Sequence, residues 1–179
     1  MAGRLVVDAF EREFQKTRQL CDRAIAQLSD AQLHTRLDAE ANSVAMLMGH
    51  LAGNMRSRWT DFLTTDGEKP WRQRDAEFEP PALDRAALMV SWQAGWQVLV
   101  DTLATLTDDD LTRTITIRGE GQSVLSALPR QLAHYAGHAY QIVLVAKHLK
   151  GDAWDVLSIP RGQSAAYEAR LRAATVPKA

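Results

Sequence analysis

The chain has 179 residues, 46% of them hydrophobic and 24% charged, and a formal net charge of −1. That balance fits one folded domain, spanning 1–179, able to bury a core of its own. No basic stripe supports nucleic-acid binding, no apolar stretch reaches membrane-spanning length, and Cys21, the only cysteine, rules out an internal disulfide.

Met1-Ala2-Gly3-Arg4 leads straight into an amphipathic pattern and lacks the apolar core of a secretory signal, so a cytoplasmic protein is the simplest reading. The first predicted helix runs from about Val6 to Leu28. Val7, Phe10, Phe14, Thr17, Cys21, Ala24 and Leu28 fall on one face, in steps of three and four. On that stripe Cys21 reads as a small core residue rather than a nucleophile. A polar connection from Ser29-Asp30 leads to Ser43, a good N-cap for a second helix ending near Leu63. Its apolar side carries Val44, Leu47, Met48, Leu51, Met55, Trp59 and Phe62.

Glu68 to Pro81 is irregular and holds three prolines, yet its two aromatics, Trp71 and Phe78, predict that it packs on the body. A third helix spans about Leu83 to Leu106, where Gly95 beside Trp96 allows a close helix crossing. Thr112 to Arg118 alternates β-branched residues and is followed by Gly119-Glu120-Gly121, which predicts a small hairpin. The fourth helix covers about Ser123 to Lys150, with a heptad of Leu125, Leu128, Leu132, Tyr135, Ala139, Ile142, Ala146 and Leu149. Pro129 within it predicts a kink or an irregular start, and Gly151 its C-cap. A tail from about 151 ends in a short helical pattern.

A weak repeat is visible. Leu28-Ser29-Asp30 with Leu33 is matched by Leu106-Thr107-Asp108 with Leu111, and each precedes a Ser-Val step and a histidine-bearing helix. Common helix-end chemistry explains this as well as a pseudo-symmetric pair of helix hairpins does.

The chemistry concentrates on three histidines. His134 and His138 are one helical turn apart on one face, and His50 lies on another helix. Such a pair can be a satisfied core or a metal site; three imidazoles would leave coordination positions open, as in a reactive rather than a structural centre. Gly49 and Gly137 each precede one of these histidines, and a mid-helix glycine needs a reason: close helix approach or clearance for a ligand. Tyr135, Ala136 and Gly137 separate the pair, so the glutamate of a zinc peptidase is missing. His34 and His148 read as surface residues. Asn54 shares the face of His50, and Gln131 and Gln141 each lie three residues from a ligand. Arg161, between Pro160 and Gly162, is a candidate to pair with an anionic substrate.

These features resemble the DinB/YfiT-like superfamily: His50 on the second helix, His134-x-x-x-His138 on the fourth, the helix lengths and the hairpin. His50-Leu51-Ala52-Gly53-Asn54, Arg58 to Trp71 and Ser158-Ile159-Pro160-Arg161-Gly162 resemble an uncharacterised branch of it. The resemblance implies a mostly α fold, a DinB-like four-helix bundle with a small β-hairpin before the fourth helix. It also implies a divalent transition metal (nickel, zinc, iron or manganese) on the three histidines, and frequent homodimers. Several members are metal-dependent thiol transferases that use low-molecular-weight thiols; others include a mycothiol-dependent isomerase and the bundle domain of an iron-dependent sulfoxide synthase. The expectation is a metal-dependent enzyme acting on a small molecule, a thiol S-transferase on small electrophiles, with Asn54 and Arg161 on the substrate side. The alternative is a non-catalytic metal-binding or stress-response module.

Overall fold

The computed structural model describes residues 3–175; the Met1-Ala2 start discussed above and residues 176–179 lie outside the described residues. The architecture is mostly helical, with one two-stranded hairpin. In chain order the elements are α1 (Leu5–Ile25), α2 (Asp30–His34), α3 (Val44–Trp59), α4 (Arg85–Thr105), β1 (Thr114–Ile117), β2 (Glu120–Ser123), α5 (Val124–Lys150) and α6 (Ser164–Thr175). The fourth helix of the sequence reading is α5. Of the four long helices, α3 packs on α4, its neighbour in sequence, and α1 packs on α5 across the length of the chain.

The local signals explain most boundaries. Ser43 accepts from Met46 N–H and caps α3; Asp84 does the same for α4 through Ala87, and Ser123 for α5 through Ser126. Gly151 ends α5 at φ 54°, a conformation glycine adopts without strain. The polar connection after α1 is not all loop: Ser29 and Gln32 form a reciprocal capping box that starts the single turn of α2. Thr107 and Asp110 build the same device before a 3₁₀ turn, Asp108–Thr112. The repeat seen in sequence therefore has a structural counterpart, a boxed short turn ahead of each histidine-bearing helix. α3 stops at Trp59, earlier than its apolar pattern predicts, while Phe62 stays buried in the turn beyond.

One expectation on α5 fails. Leu125 is 49% exposed, because the buried stripe runs through Val124, Leu128, Gln131, Tyr135, Ala139, Ile142 and Ala146. That spacing follows the ~3.6-residue turn of a straight helix, from which a heptad drifts. α5 starts regularly at Val124 and runs on through Pro129; with only five helical residues before it, a single i−4 bond is forfeited.

The core centres on aromatic residues from all four long helices. Phe14 of α1 meets Trp59 of α3 and Tyr135 of α5, each with ring centroids 5.8 Å apart, and Trp96 of α4 lies 6.1 Å from Tyr135. Cys21 is fully buried, and burial raises its thiol pKa to about 12, which confirms a packing role. Thr17 is only half-buried and bonds back to Glu13 O.

The glycines divide sharply. A Cβ on Gly95 would lie 2.9 Å from Ala52 Cα, so this glycine sets the α3–α4 crossing. Gly49 and Gly137 meet nothing within 4 Å, and close helix approach explains neither. Gly95→Val should therefore cost about 1–3 kcal/mol through overpacking. Gly137→Ala should stabilise by about 0.5–1 kcal/mol through backbone entropy and helix propensity. Urea denaturation of the two variants checks both signs.

Candidate metal centre

His50 sits mid-way along α3, 3% exposed, where the helix faces α5. His134 and His138 project from α5 on consecutive turns. The three rings each offer one nitrogen, and these nitrogens all lie within 4.8 Å of one another. His50 Nε2 and His134 Nε2 are 3.3 Å apart. Two imidazole nitrogens bound at ~2.1 Å to one ion lie roughly 3.0–3.4 Å apart for angles near 90–109°, so this cluster could hold a metal ion. Among the described residues it is the one group of potential ligands gathered in this way.

The orientation of the rings is built, not accidental. His50 Nδ1 donates to Glu77 Oε2 at 2.9 Å, which leaves Nε2 to face the other histidines. His138 Nδ1 donates to Gln141 Oε1 at 2.9 Å, with the same consequence. Acceptors placed outside the ligand rings fix the tautomer and raise ligand basicity in metal sites. Phe78 stacks on His50 with centroids 4.6 Å apart and supports the ring from the loop side.

Glu77 is the residue the sequence reading missed. It belongs to a 3₁₀ turn, Asp75–Phe78, inside the irregular stretch before α4. Arg72 grips it with two bonds, Nε to Oε1 at 2.8 Å and Nη2 to Oε2 at 2.7 Å, and also reaches Glu68 at 3.3 Å. Burial alone would raise the Glu77 pKa, but the hydrogen bonds from His50 and Arg72 outweigh it and hold the carboxylate below its ordinary range. Burial works against the charge of Arg72 too, and Glu77 and Glu68 more than compensate. Gly53 makes room for this arrangement: a Cβ there would collide with the Glu77 carboxylate. The sequence signal was the glycine one turn after His50, where a contact from outside the helix must land.

The remaining candidates divide. Asn54 is 5% exposed and borders the cavity beside the histidines. Its Oδ1 accepts from Tyr135 Oη at 2.9 Å, and Tyr135 Oη accepts from Trp59 Nε1 at 3.0 Å. With Oδ1 committed, Asn54 can offer a ligand only its amide donors. Gln131 lines the same cavity, 3% exposed, with no partner for Oε1. His34 and His148 are exposed. Arg161 is exposed on a turn closed by Gln163 N–H to Pro160 O, and it is not among the residues that line the cavity. In the loop, Trp71 is 51% exposed under Arg56, whereas Phe78 packs inward, so one of the two aromatics covers the body.

Burial, then the neighbouring His138 and His50, depress the His134 pKa to about 4; burial also lowers His138. Both rings are therefore neutral near pH 7, the form that binds metal. In the metal-free protein the sign follows from linkage. Below about pH 6.5 an unfolded histidine takes a proton that folded His134 refuses until about pH 4. Stability should fall as pH drops through that window, and His134→Gln should flatten the fall; urea midpoints at pH 7, 6 and 5 measure it. Glu77→Gln should weaken metal affinity about 10–100-fold at unchanged stoichiometry, as read by competition with a chromogenic chelator.

No curated protein matches this chain. A family model described as "Protein of unknown function (DUF1572)" matches residues 2–163, and the chain belongs to that family.

Proposed function

We propose that this protein is a metal-dependent enzyme whose divalent transition metal is held by His50, His134 and His138, and that it transfers a small thiol to an electrophile. The observation that carries the reading is the convergence of three imidazoles whose outer nitrogens, on His50 and His138, are already occupied by Glu77 and Gln141. Three neutral nitrogen donors suit zinc, nickel or iron better than magnesium or calcium. The resemblance to the DinB/YfiT-like superfamily supports the thiol chemistry.

When bound, a divalent ion with open positions supplies Lewis acidity and lowers the pKa of a thiol or water beside it. The chain's own groups prepare the site. Glu77 and Arg72 keep the proton of His50 on Nδ1, so Nε2 is available without reorganisation. Tyr135, its phenol kept protonated by burial, holds Asn54 so that the amide donors border the cavity. Phe78 and the chain around it cover one side of the histidines and narrow the approach of water.

Purified protein should carry one divalent ion per chain by elemental analysis. Changing any one of His50, His134 or His138 to alanine should remove it or lower occupancy at least tenfold, with three ligands reduced to two. His34→Ala and His148→Ala should leave it intact. The loaded protein should conjugate a small thiol to an electrophile such as a halodinitrobenzene, with turnover lost on chelation and restored by metal. Full occupancy without turnover across a panel of thiols and electrophiles would leave a binding module instead.

A further inference from the structure

The cavity at the histidines has a volume of about 320 Å³, and five arginines line it: Arg58, Arg72, Arg74, Arg118 and Arg130. Among the described residues no carboxylate lines it; Glu68 and Glu77 pair with Arg72 of the lining. Two of the five have structural employment. Arg72 bridges Glu77 and Glu68, and Arg118 pairs with Glu68 at 3.1 Å. The other three do not balance. Arg58 is 4% exposed, its Nε and Nη1 have no hydrogen-bond partner, and its one acid, Glu68, is 3.9 Å away. Arg74 has a single exposed contact with Asp75 at 3.9 Å and otherwise lies over Phe78. Arg130 is exposed, and among the described residues no acid lies within ion-pair reach of it.

This wall works against a bare cation. Guanidinium groups beside the imidazoles repel a divalent ion, so the arginines do not serve metal binding. They are also deliberately placed. The hairpin turn that presents Arg118 is tied to the α3–α4 connection by Asp66, which accepts from Arg118 N–H at 2.9 Å and Gly119 N–H at 2.7 Å. Arg58 needs Gly67 above it, since a Cβ there would meet Nη1 at 2.7 Å. A buried guanidinium with unmet donors is costly unless an acceptor completes it.

We propose that this cavity binds the oxyanion group of its substrate, a carboxylate or a phosphate, with Arg58 and Arg130 as the principal partners. The planar fork of arginine matches two oxygens of either group. Arg74 and Arg118 add charge to the lining. The inference refines the proposed function by naming the substrate class, yet the anion site stands on the arginines and not on the metal.

Calorimetric titration of the full chain with succinate, inorganic phosphate and the neutral analogue succinamide tests it, in chelator-treated and zinc-loaded protein. Succinate or phosphate should bind at one site per chain, and succinamide should not. The tighter of the two anions identifies the source of the oxyanion. Arg58→Gln should weaken binding at least roughly tenfold, the loss of a buried charge-assisted contact. Arg130→Ala, at an exposed position that the fold does not need, should weaken it roughly threefold or more. Anion binding that survives in His134→Ala while metal is lost would separate the two proposals. Absence of anion binding in both metal states, or equal affinity in wild type and Arg130→Ala, would overturn the inference.

Discussion

The register between α3 and α5 is the constraint on which the site depends. His50 is carried by one helix and His134 and His138 by the other, so a slide of one residue along either axis, ~1.5 Å, would pull the nitrogens out of common reach. A buried chain of hydrogen bonds pins that register. Trp59 donates to Tyr135, and Tyr135 donates to Asn54. Tyr135 is the immediate neighbour of His134, and Asn54 is one turn beyond His50. The polar link is surrounded by Phe14 and Trp96, so water cannot compete for it. The aromatic core and the ligand cluster are therefore one construction, with the same two helices supplying both.

The connection between α3 and α4 completes what the helices begin. It contributes no ligand, but it supplies Glu77 and Phe78 to His50 and Arg72 to Glu77. A carboxylate and a guanidinium with side chains 11% and 2% exposed depend on pairing with each other, with His50 and Glu68 as their second partners. Gly53 and Gly67 accommodate Glu77 and Arg58 at the helix surface, which accounts for two glycines that no turn requires. The α3–α4 connection is thus ordered by the side chains it delivers, with little regular backbone structure of its own.

The cavity combines imidazoles with guanidinium groups. Burial and mutual proximity keep His134 and His138 unprotonated near pH 7. Five arginines line the same cavity and make it cationic. Among the described residues no helix is long and apolar enough to cross a membrane.

The sequence by itself determined the helices, their caps, the hairpin and the pairing of His134 with His138. Each depends on residues within a turn or two of one another: apolar steps near 3.6, Ser43 and Ser123 before their helices, Gly151 after one. It also marked Gly95 as a crossing point, since a glycine beside a core tryptophan has few other uses. It did not disclose the capping box at Ser29, which sat in a stretch read as polar loop, nor the true face of α5 at Leu125, where a heptad is too short a period. Only the tertiary structure decided that Glu77 orients His50, that Gln141 orients His138, and that Arg58 and Arg130 share a cavity with them while Arg161 does not. Glu77 is 27 residues from His50 in the chain. Its position follows from where the α3–α4 connection lands on the packed bundle, and no local periodicity encodes that distance.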